Sequence, residues 1–463
     1  MSLSSIYKES LALLTDFYEL TMAYGYWKTN THNKEAIFHH FFRKKPFKGS
    51  FAIACGLNSV IEFVENFKYS TSDLDYLFSL KSSNSMPLFE DKFLNYLSNI
   101  KLDVDIDAVK EGTPIFPFEP LFRVKGSILH CQLLETPLLN LINFPTLIAT
   151  KASRIRYAAG NDYLMEFGVR RAQGIDGSIT ATRASFIGGM DATSNVIAGN
   201  LFDIPLKGTH AHSFVMSFDS EYKAFDIWQN VFPDNSTLLV DTYDTISGIT
   251  NAIKIGSCLK AKGKTLQGIR LDSGDLTLLS IEARKLLDDA GFKETKICAT
   301  NELDEFEIQK LKENGAKITV WGVGTKLVTG NPQASLDGVY KLSAIKEAGS
   351  DWQFKMKLSE KCQKISLPGI LQVRRLANEG LYTQDIVYCE NHPLEAIGND
   401  LLIPIFRGGK KVYQSPSLKE IRTYSENECA KFHPSIRKIE NPENYSVVLD
   451  SYFKNLRQNL GEI

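Results

Sequence analysis

The residues best suited to chemistry cluster in a few short segments, and the densest is DIPLKGTHAHSF, with Gly208, Thr209, His210, His212 and Ser213. A neutral imidazole can act as base, metal ligand or phosphoryl acceptor. If the segment is extended, alternate side chains share a face, and His210 and His212 fall on the same side. A paired-histidine metal site wants further histidines or carboxylates close by, and the flanking sequence offers none; a merely structural polar pair fits the residues equally well. A second segment, GIRLDSGDL, sets Arg270 inside an apolar strand and follows it with Asp272, Ser273, Gly274 and Asp275. Backbone N–H groups at a glycine turn before a helix hold phosphate, and carboxylates there hold ribose hydroxyls or the water shell of Mg²⁺. The GVGT run, Gly322 to Thr325, is another phosphate-cupping turn. It lacks the Gly-Lys-Ser/Thr ending of a P-loop, and no dinucleotide-binding glycine fingerprint occurs. Guanidinium groups suit carboxylates and phosphates because two donors engage two oxygens, which brings in Arg170 and Arg171, Lys151, Arg154 and Arg156, and Arg43 with Lys44 and Lys45. At least half of these are expected to be ordinary solvated charges.

The elements that must position these groups follow from the hydrophobic pattern. From about residue 160 to 345 β-branched strands alternate with amphipathic helices, and strand ends recur roughly every 20 to 30 residues, the length of one parallel β-α unit. Asp241, Asp272, Ser273, Gly274, Asp275, Thr300, Asn301, Gly322, Gly324 and Thr325 all fall just after an expected strand. In a β/α barrel those loops meet at the C-terminal face, where ligands bind. Asp304 is placed to cap the helix that follows ICATNEL. Before this region, AVKEGTPIFPFEPLFRVKGSILHCQLLET reads as β throughout, its run ILHCQLLE as a strand ending at Glu135. PLLNLINFPTLIATKASRIRYAAG then reads as helix, with Pro145 as a possible kink. Beyond about 345 the segments WQFKMKLS, LQVRRLA, TQDIVYCE and DLLIPIFRGGKKVY are strand-like, and SLKEIRTYSENECAKF reads as helix. The expected division is an N-terminal α/β domain over 1–135 and a β/α-barrel catalytic domain over 136–345. Segments over 346–463 then complete the first domain or form a small third one.

Bulk properties narrow the function. A chain of 463 residues exceeds one ordinary core, and 43% hydrophobic residues suffice to build more than one. A formal net charge of −1 gives no electrostatic footprint for nucleic acid. No apolar run is long enough to span a bilayer, and the first twenty residues mix Lys8, Glu9, Asp16 and Glu19 with apolar positions, as a helix start does and a secretory signal does not. Seven scattered cysteines, never spaced C-x-x-C, argue against a disulfide framework or zinc site and for a reducing, cytoplasmic compartment.

Taken in order, LLTDFYELTMAYGYW, FFRKKPF, EFGVRRAQGIDG, GTHAHSF, VDTYDT, GIRLDSGDL and WGVGTKLVTG resemble the successive signature blocks of the nicotinate phosphoribosyltransferases, from about residue 11 to about 345. The resemblance implies a type II phosphoribosyltransferase fold: an N-terminal α/β domain, an irregular β/α barrel, and C-terminal segments packing back on them. It implies a homodimer with shared active sites. The implied reaction joins nicotinate to phosphoribosyl pyrophosphate in NAD biosynthesis, with Mg²⁺ as cofactor and ATP as co-substrate hydrolysed through a phosphohistidine. Carried over block by block, it makes His212 the phosphorylated residue and leaves His210 at a position the family does not fix. It puts Arg270 in the nicotinate pocket, Tyr18 against the ring from the partner subunit, and Thr209 among the substrate ligands. Asp272, Ser273 and Gly274 line the ribose-phosphate region, Gly324 and Thr325 hold sugar phosphate, and Arg171 and Arg154 serve as further anion ligands. The alternatives are a nicotinamide phosphoribosyltransferase, whose block begins with Asp where this chain has Glu166 and lacks the paired arginines, and an inactive nucleotide-sensing relative. A β/α-barrel lyase for phosphosugars would want a Schiff-base lysine at a strand end, and no convincing one is present.

Overall fold

The computed structural model describes residue 7 and residues 10–357, 366–392, 394–453 and 456. The chain divides into two compact units, residues 1–150 with 335–463, and residues 151–334. Sequence texture had placed the divisions at 135/136 and 345/346.

The first unit is built on a seven-stranded sheet in the order Gln353–Phe354, Gly338–Lys346, Glu35–Phe42, Phe122–Ser127, Val104–Ala108, Ile403–Arg407, Lys410–Lys411. Its pairings are antiparallel. The strand EAIFHHFF lies in the interior of this sheet, and seven of its eight residues are buried. Its two histidines are therefore neutral: burial pushes His39 far down and His40 to about 4. Ile403–Arg407 comes from the C-terminal third of the chain and pairs with Val104–Ala108, so the C-terminal segments pack back onto N-terminal strands. A second, four-stranded sheet joins Asn399–Asp400, Leu371–Asn378, Leu381–Cys389 and Ser446–Leu449. SLKEIRTYSENECAKF forms the helix Leu418–Ala430, opened by a reciprocal Ser417/Glu420 capping box.

One expected strand is a helix. ILHCQLLE gives Ile128–Leu133, capped by the Ser127 hydroxyl accepting from the His130 N–H at 3.2 Å. Ile128, Leu129, Cys131, Gln132 and Leu133 are all buried. An apolar run covered on every side carries no periodicity to separate strand from helix. The helix Glu135–Ala159 follows with Pro145 inside it.

The second unit holds six parallel strands in the order Ala192–Thr193, Tyr163–Glu166, Val320–Val323, Lys296–Ala299, Gly268–Leu271, Thr237–Leu239. Helices Gly174–Ile187, Thr245–Ala261, Leu276–Asp289 and Glu305–Glu313 connect them, making an irregular β/α barrel. The last three of these helices open on capping aspartates, of which Asp304 is the one expected from sequence. Asp244 accepts from Ser247, Asp275 from Leu278, and Asp304 from both Phe306 and Glu307. Among the described residues no helix is long and apolar enough to cross a membrane.

Candidate active site

Parallel strands direct their C-terminal ends to one side of a sheet, so the residues just after them converge. Arg270, inside Gly268–Leu271, is the centre of that convergence. Its Nε donates to Thr300 Oγ1, its Nη1 to Thr209 Oγ1 and its Nη2 to Asp272 Oδ1, each at 2.9 Å. The Thr300 hydroxyl also donates to Asp272. Thr300 follows the neighbouring strand, and Gly322 on the next one makes room for it: a Cβ there would stand 2.7 Å from Thr300 Cγ2 and 2.8 Å from Phe167. Gly322 lies within Val320–Val323 and not in the turn after it, where the sequence pattern puts it, and it is this close approach that excludes a side chain there.

Asp272 is fixed from a third side. Asp241 Oδ2 accepts from the Asp272 backbone N–H and the Ser273 hydroxyl, both at 2.7 Å. Gly274 completes this turn at φ +78°, a left-handed conformation that costs glycine little. Burial works to raise the Asp272 carboxyl, but the Thr300 hydroxyl and the Arg270 guanidinium outweigh it and hold the group below the usual carboxylate range. Its ionised Oδ2 faces His212 Nε2 at 3.6 Å. His212 Nδ1 lies 3.1 Å from the Thr242 hydroxyl. The imidazole is thus held on both nitrogens while the side chain stays 40% exposed, accessible to a reacting group.

The two histidines do not share a strand face. GTHAH is a loop that enters the short helix His212–Met216, so the alternation expected of a strand does not apply. His210 is buried among Phe214, Phe225 and Trp228, and its Nε2 accepts from the Leu239 N–H at 3.4 Å. Burial lowers it to about 4. It is an aromatic-core histidine that braces the strand beside the site.

Thr209, His212, Arg270, Asp272 and Ser273 form one hydrogen-bonded and ionic network with Gly274 in its turn. The remaining site residues lie apart from it. Arg171 ends the single turn Val169–Arg171 and is exposed. That turn is anchored by buried Glu166, which accepts from the Gly168 N–H, from Thr182 Oγ1 at 2.9 Å and from Thr193 Oγ1 at 2.6 Å. Gly324 and Thr325 follow Val320–Val323 directly. Arg154 is buried and donates to Glu305 Oε1 at 2.9 Å; Lys151 pairs with the same carboxylate. Tyr18 belongs to the other unit, on the helix Phe17–Lys28, 47% exposed beside Phe17 at 54%. Burial, then Glu135, Glu19 and Asp16, raise its hydroxyl, which stays protonated.

Sequence reasoning gave no role to Thr242, Thr300 or Asp241. Thr300 and Asp241 stood among the strand-end residues, and the signal for Thr242 was its place directly after Asp241 in VDTYDT. Among the described residues no group of three His, Cys, Asp or Glu is arranged to hold a metal ion. Asp241 Oδ1 is buried without a hydrogen-bond partner beside the network.

A parallel β/α barrel that gathers guanidinium, imidazole, carboxylate and hydroxyl groups at its strand ends defines a class of enzymes acting on anionic small molecules. Three family models cover most of the chain: the nicotinate phosphoribosyltransferase (NAPRTase) N-terminal domain over 13–143, the NAPRTase family over 163–358, and the C-terminal domain over 383–457. The nicotinate phosphoribosyltransferase of Bacillus subtilis (strain 168) is 40% identical across 98% of this chain and 96% of its own length. The Homo sapiens enzyme is 33% identical across 97% and 96%. The crystal structure of human nicotinic acid phosphoribosyltransferase superposes with a TM-score of 0.81 at 30% identity, covering 97% of this chain and all of that one. A nicotinate-nucleotide pyrophosphorylase from Pyrococcus furiosus shares the fold, with a TM-score of 0.70 at 23% identity over 91% and 96%. The chain belongs to the nicotinate phosphoribosyltransferase family.

Proposed function

We propose that this chain joins nicotinate to phosphoribosyl pyrophosphate, giving nicotinate mononucleotide and pyrophosphate, and couples the transfer to ATP hydrolysis through His212. The observation that carries the reading is the Arg270–Asp272–His212 constellation at the strand ends of a barrel in this family.

Nicotinate needs no base, because its ring nitrogen already carries a lone pair. That pair forms the bond to the anomeric carbon as the carbon–oxygen bond to pyrophosphate breaks, and the electrons leave with pyrophosphate. Positive charge develops on the sugar, so catalysis rests on positioning and on neutralising the leaving group. Arg270, held by three oxygen acceptors, presents a fixed cation to the nicotinate carboxylate. Thr209 completes that end of the pocket, and Tyr18 of a second subunit lies against the ring. Asp272, Ser273 and Gly274 form the ribose-phosphate turn, and Gly324, Thr325 and Arg171 bind phosphate oxygens. Arg154 already donates its Nε to Glu305 and makes the weaker contribution. Asp241 or Asp272 would hold Mg²⁺, which would supply charge neutralisation at the leaving group.

His212 takes the terminal phosphoryl group of ATP on a ring nitrogen, releasing ADP, and water later cleaves the P–N bond. A dianionic group placed beside Asp272 repels that carboxylate and reorganises the Arg270 network, which changes affinity for the sugar substrate. The enzyme works in NAD biosynthesis as a cytoplasmic homodimer. A pyrophosphate-release assay with nicotinate, with and without ATP, tests the reading. His212→Ala is expected to abolish stimulation by ATP and leave weak basal transfer. Equal stimulation in variant and wild type removes His212 from this role.

A further inference from the structure

The barrel has a second opening, at the end opposite the strand-end network. Thr237, Gly268 and Lys296 are the first residues of their strands. Together with the loops that precede them they line a cavity of about 800 Å³. That volume is within the range of small-molecule sites. The cavity's body is apolar: Met165, Cys298 and Val320 belong to one hydrophobic cluster, and Leu266 and Phe292 add to it. Its lining is cationic. Lys264 is paired with Asp234 at 2.8 Å, whereas Lys207, Lys260, Lys293 and Lys296 have no ion pair among the described residues. Glu294 is the only carboxylate in the described lining. The cavity also reaches Gly208 and Thr209, and the Thr209 hydroxyl accepts from Arg270 Nη1.

We propose that this cavity is a second ligand site for an aromatic anion, with a flat apolar body between Met165, Phe292 and Val320 and an acidic head among the lysines. An apolar chamber with an excess of unpaired ammonium groups at its lining favours that combination over a neutral or cationic ligand. Because Thr209 borders the chamber, an occupant changes the placement of Arg270 by way of one hydrogen bond. Only this coupling rests on the assigned reaction; the binding site does not.

The test uses the full-length enzyme and anilinonaphthalene sulfonate as a fluorescent aromatic anion. Saturable fluorescence is expected in the presence of saturating nicotinate and phosphoribosyl pyrophosphate. Affinity is expected to fall at least tenfold in Thr265→Trp, which fills the mouth, and in the double variant Lys260→Glu/Lys293→Glu. If the tryptophan variant does not fold, the lysine variant, altered only at exposed positions, decides. Unchanged affinity in a folded lining variant, or stoichiometric displacement of the probe by the two substrates, overturns the site. A second arm measures nicotinate KM with the probe bound. A shift of at least threefold in wild type, absent in the lining variant, is expected, and no shift overturns the coupling. The fluorescence arm needs no turnover, so a chain that made no mononucleotide would refute the assigned reaction and leave this arm readable.

Discussion

Two arginine–aspartate pairs in this molecule have opposite fates. In the first unit Arg375 and Asp385 are sealed, with side chains 1% and 0% exposed. Arg375 lies over the rings of Phe116, Tyr382 and Phe432, 5.1 to 5.8 Å from each centroid. Asp385 also accepts from the Tyr445 hydroxyl at 2.9 Å. In the barrel Arg270 and Asp272 are similarly paired at 2.9 Å, but they are 13% and 28% exposed, and the second carboxylate oxygen faces His212. The same two residue types serve structure where aromatic rings close over them and, on the proposed reading, substrate where loops leave one side open. Motif content alone does not tell the two apart; surroundings do.

That contrast is sharpest if each pair is broken. Arg375→Ala leaves Asp385 buried without its partner and is expected to destabilise the protein by about 3–5 kcal/mol. The KM for nicotinate of the fraction that folds is expected to stay unchanged; chemical denaturation and steady-state kinetics check both halves. Arg270→Ala is expected to do the reverse. Loss of one charge-assisted hydrogen bond costs about 1.5–3 kcal/mol, so nicotinate KM should rise roughly tenfold or more with little change in melting temperature. An Arg270→Ala protein that melts early with normal KM would put this pair in the structural class. Thr242→Val probes the site's periphery. It removes one neutral hydrogen bond to His212 Nδ1, worth about 0.5–1.5 kcal/mol, and should lower the ATP-stimulated rate by roughly two- to twelvefold while sparing the basal rate.

The smallest effect is a pH dependence in the sealed region. Burial, then the neighbouring Asp385 carboxylate, push Glu119 well above the usual range. A carboxyl raised on folding contributes full stability below its unfolded value of about 4.5 and loses that contribution as pH rises through the folded value. Glu119→Gln keeps a neutral group there. Its melting temperature should gain on that of wild type as pH increases from about 4 to 8. Parallel melting curves across that window would show that Glu119 is not the titrating group.

Much of the barrel was legible because its signals are local. β-branched strand runs, the aspartate cap at Asp304 and the glycine turn at Gly274 each need only a few adjacent residues. The strand-end rule brings Asp272, Ser273 and Gly274 to one face, with Arg270 inside the strand just before them. The failures arose where local pattern is silent. In ILHCQLLE, His130 and Gln132 alternate with apolar residues as in a strand, and the burial of Gln132 within the helix hides the helical period. HAH alternates like a strand but enters a helix, which separates a core histidine from an exposed one. Arg154 reads as an anion ligand by residue type, but it donates to Glu305, about 150 positions further along the chain and outside any local window. Thr300 and Thr242 matter through partners on other elements, Arg270 on a strand and His212 at a helix start, which no window of sequence contains.

The most direct measurement of the central claim is a substrate panel of nicotinate, nicotinamide and quinolinate, each incubated with phosphoribosyl pyrophosphate with and without ATP and analysed for mononucleotide. An Arg270 cation aimed at a single ring carboxylate predicts turnover of nicotinate, stimulation by ATP, and little product from the amide or the diacid. Turnover of nicotinamide in preference to nicotinate, or no mononucleotide from any of the three, would contradict it.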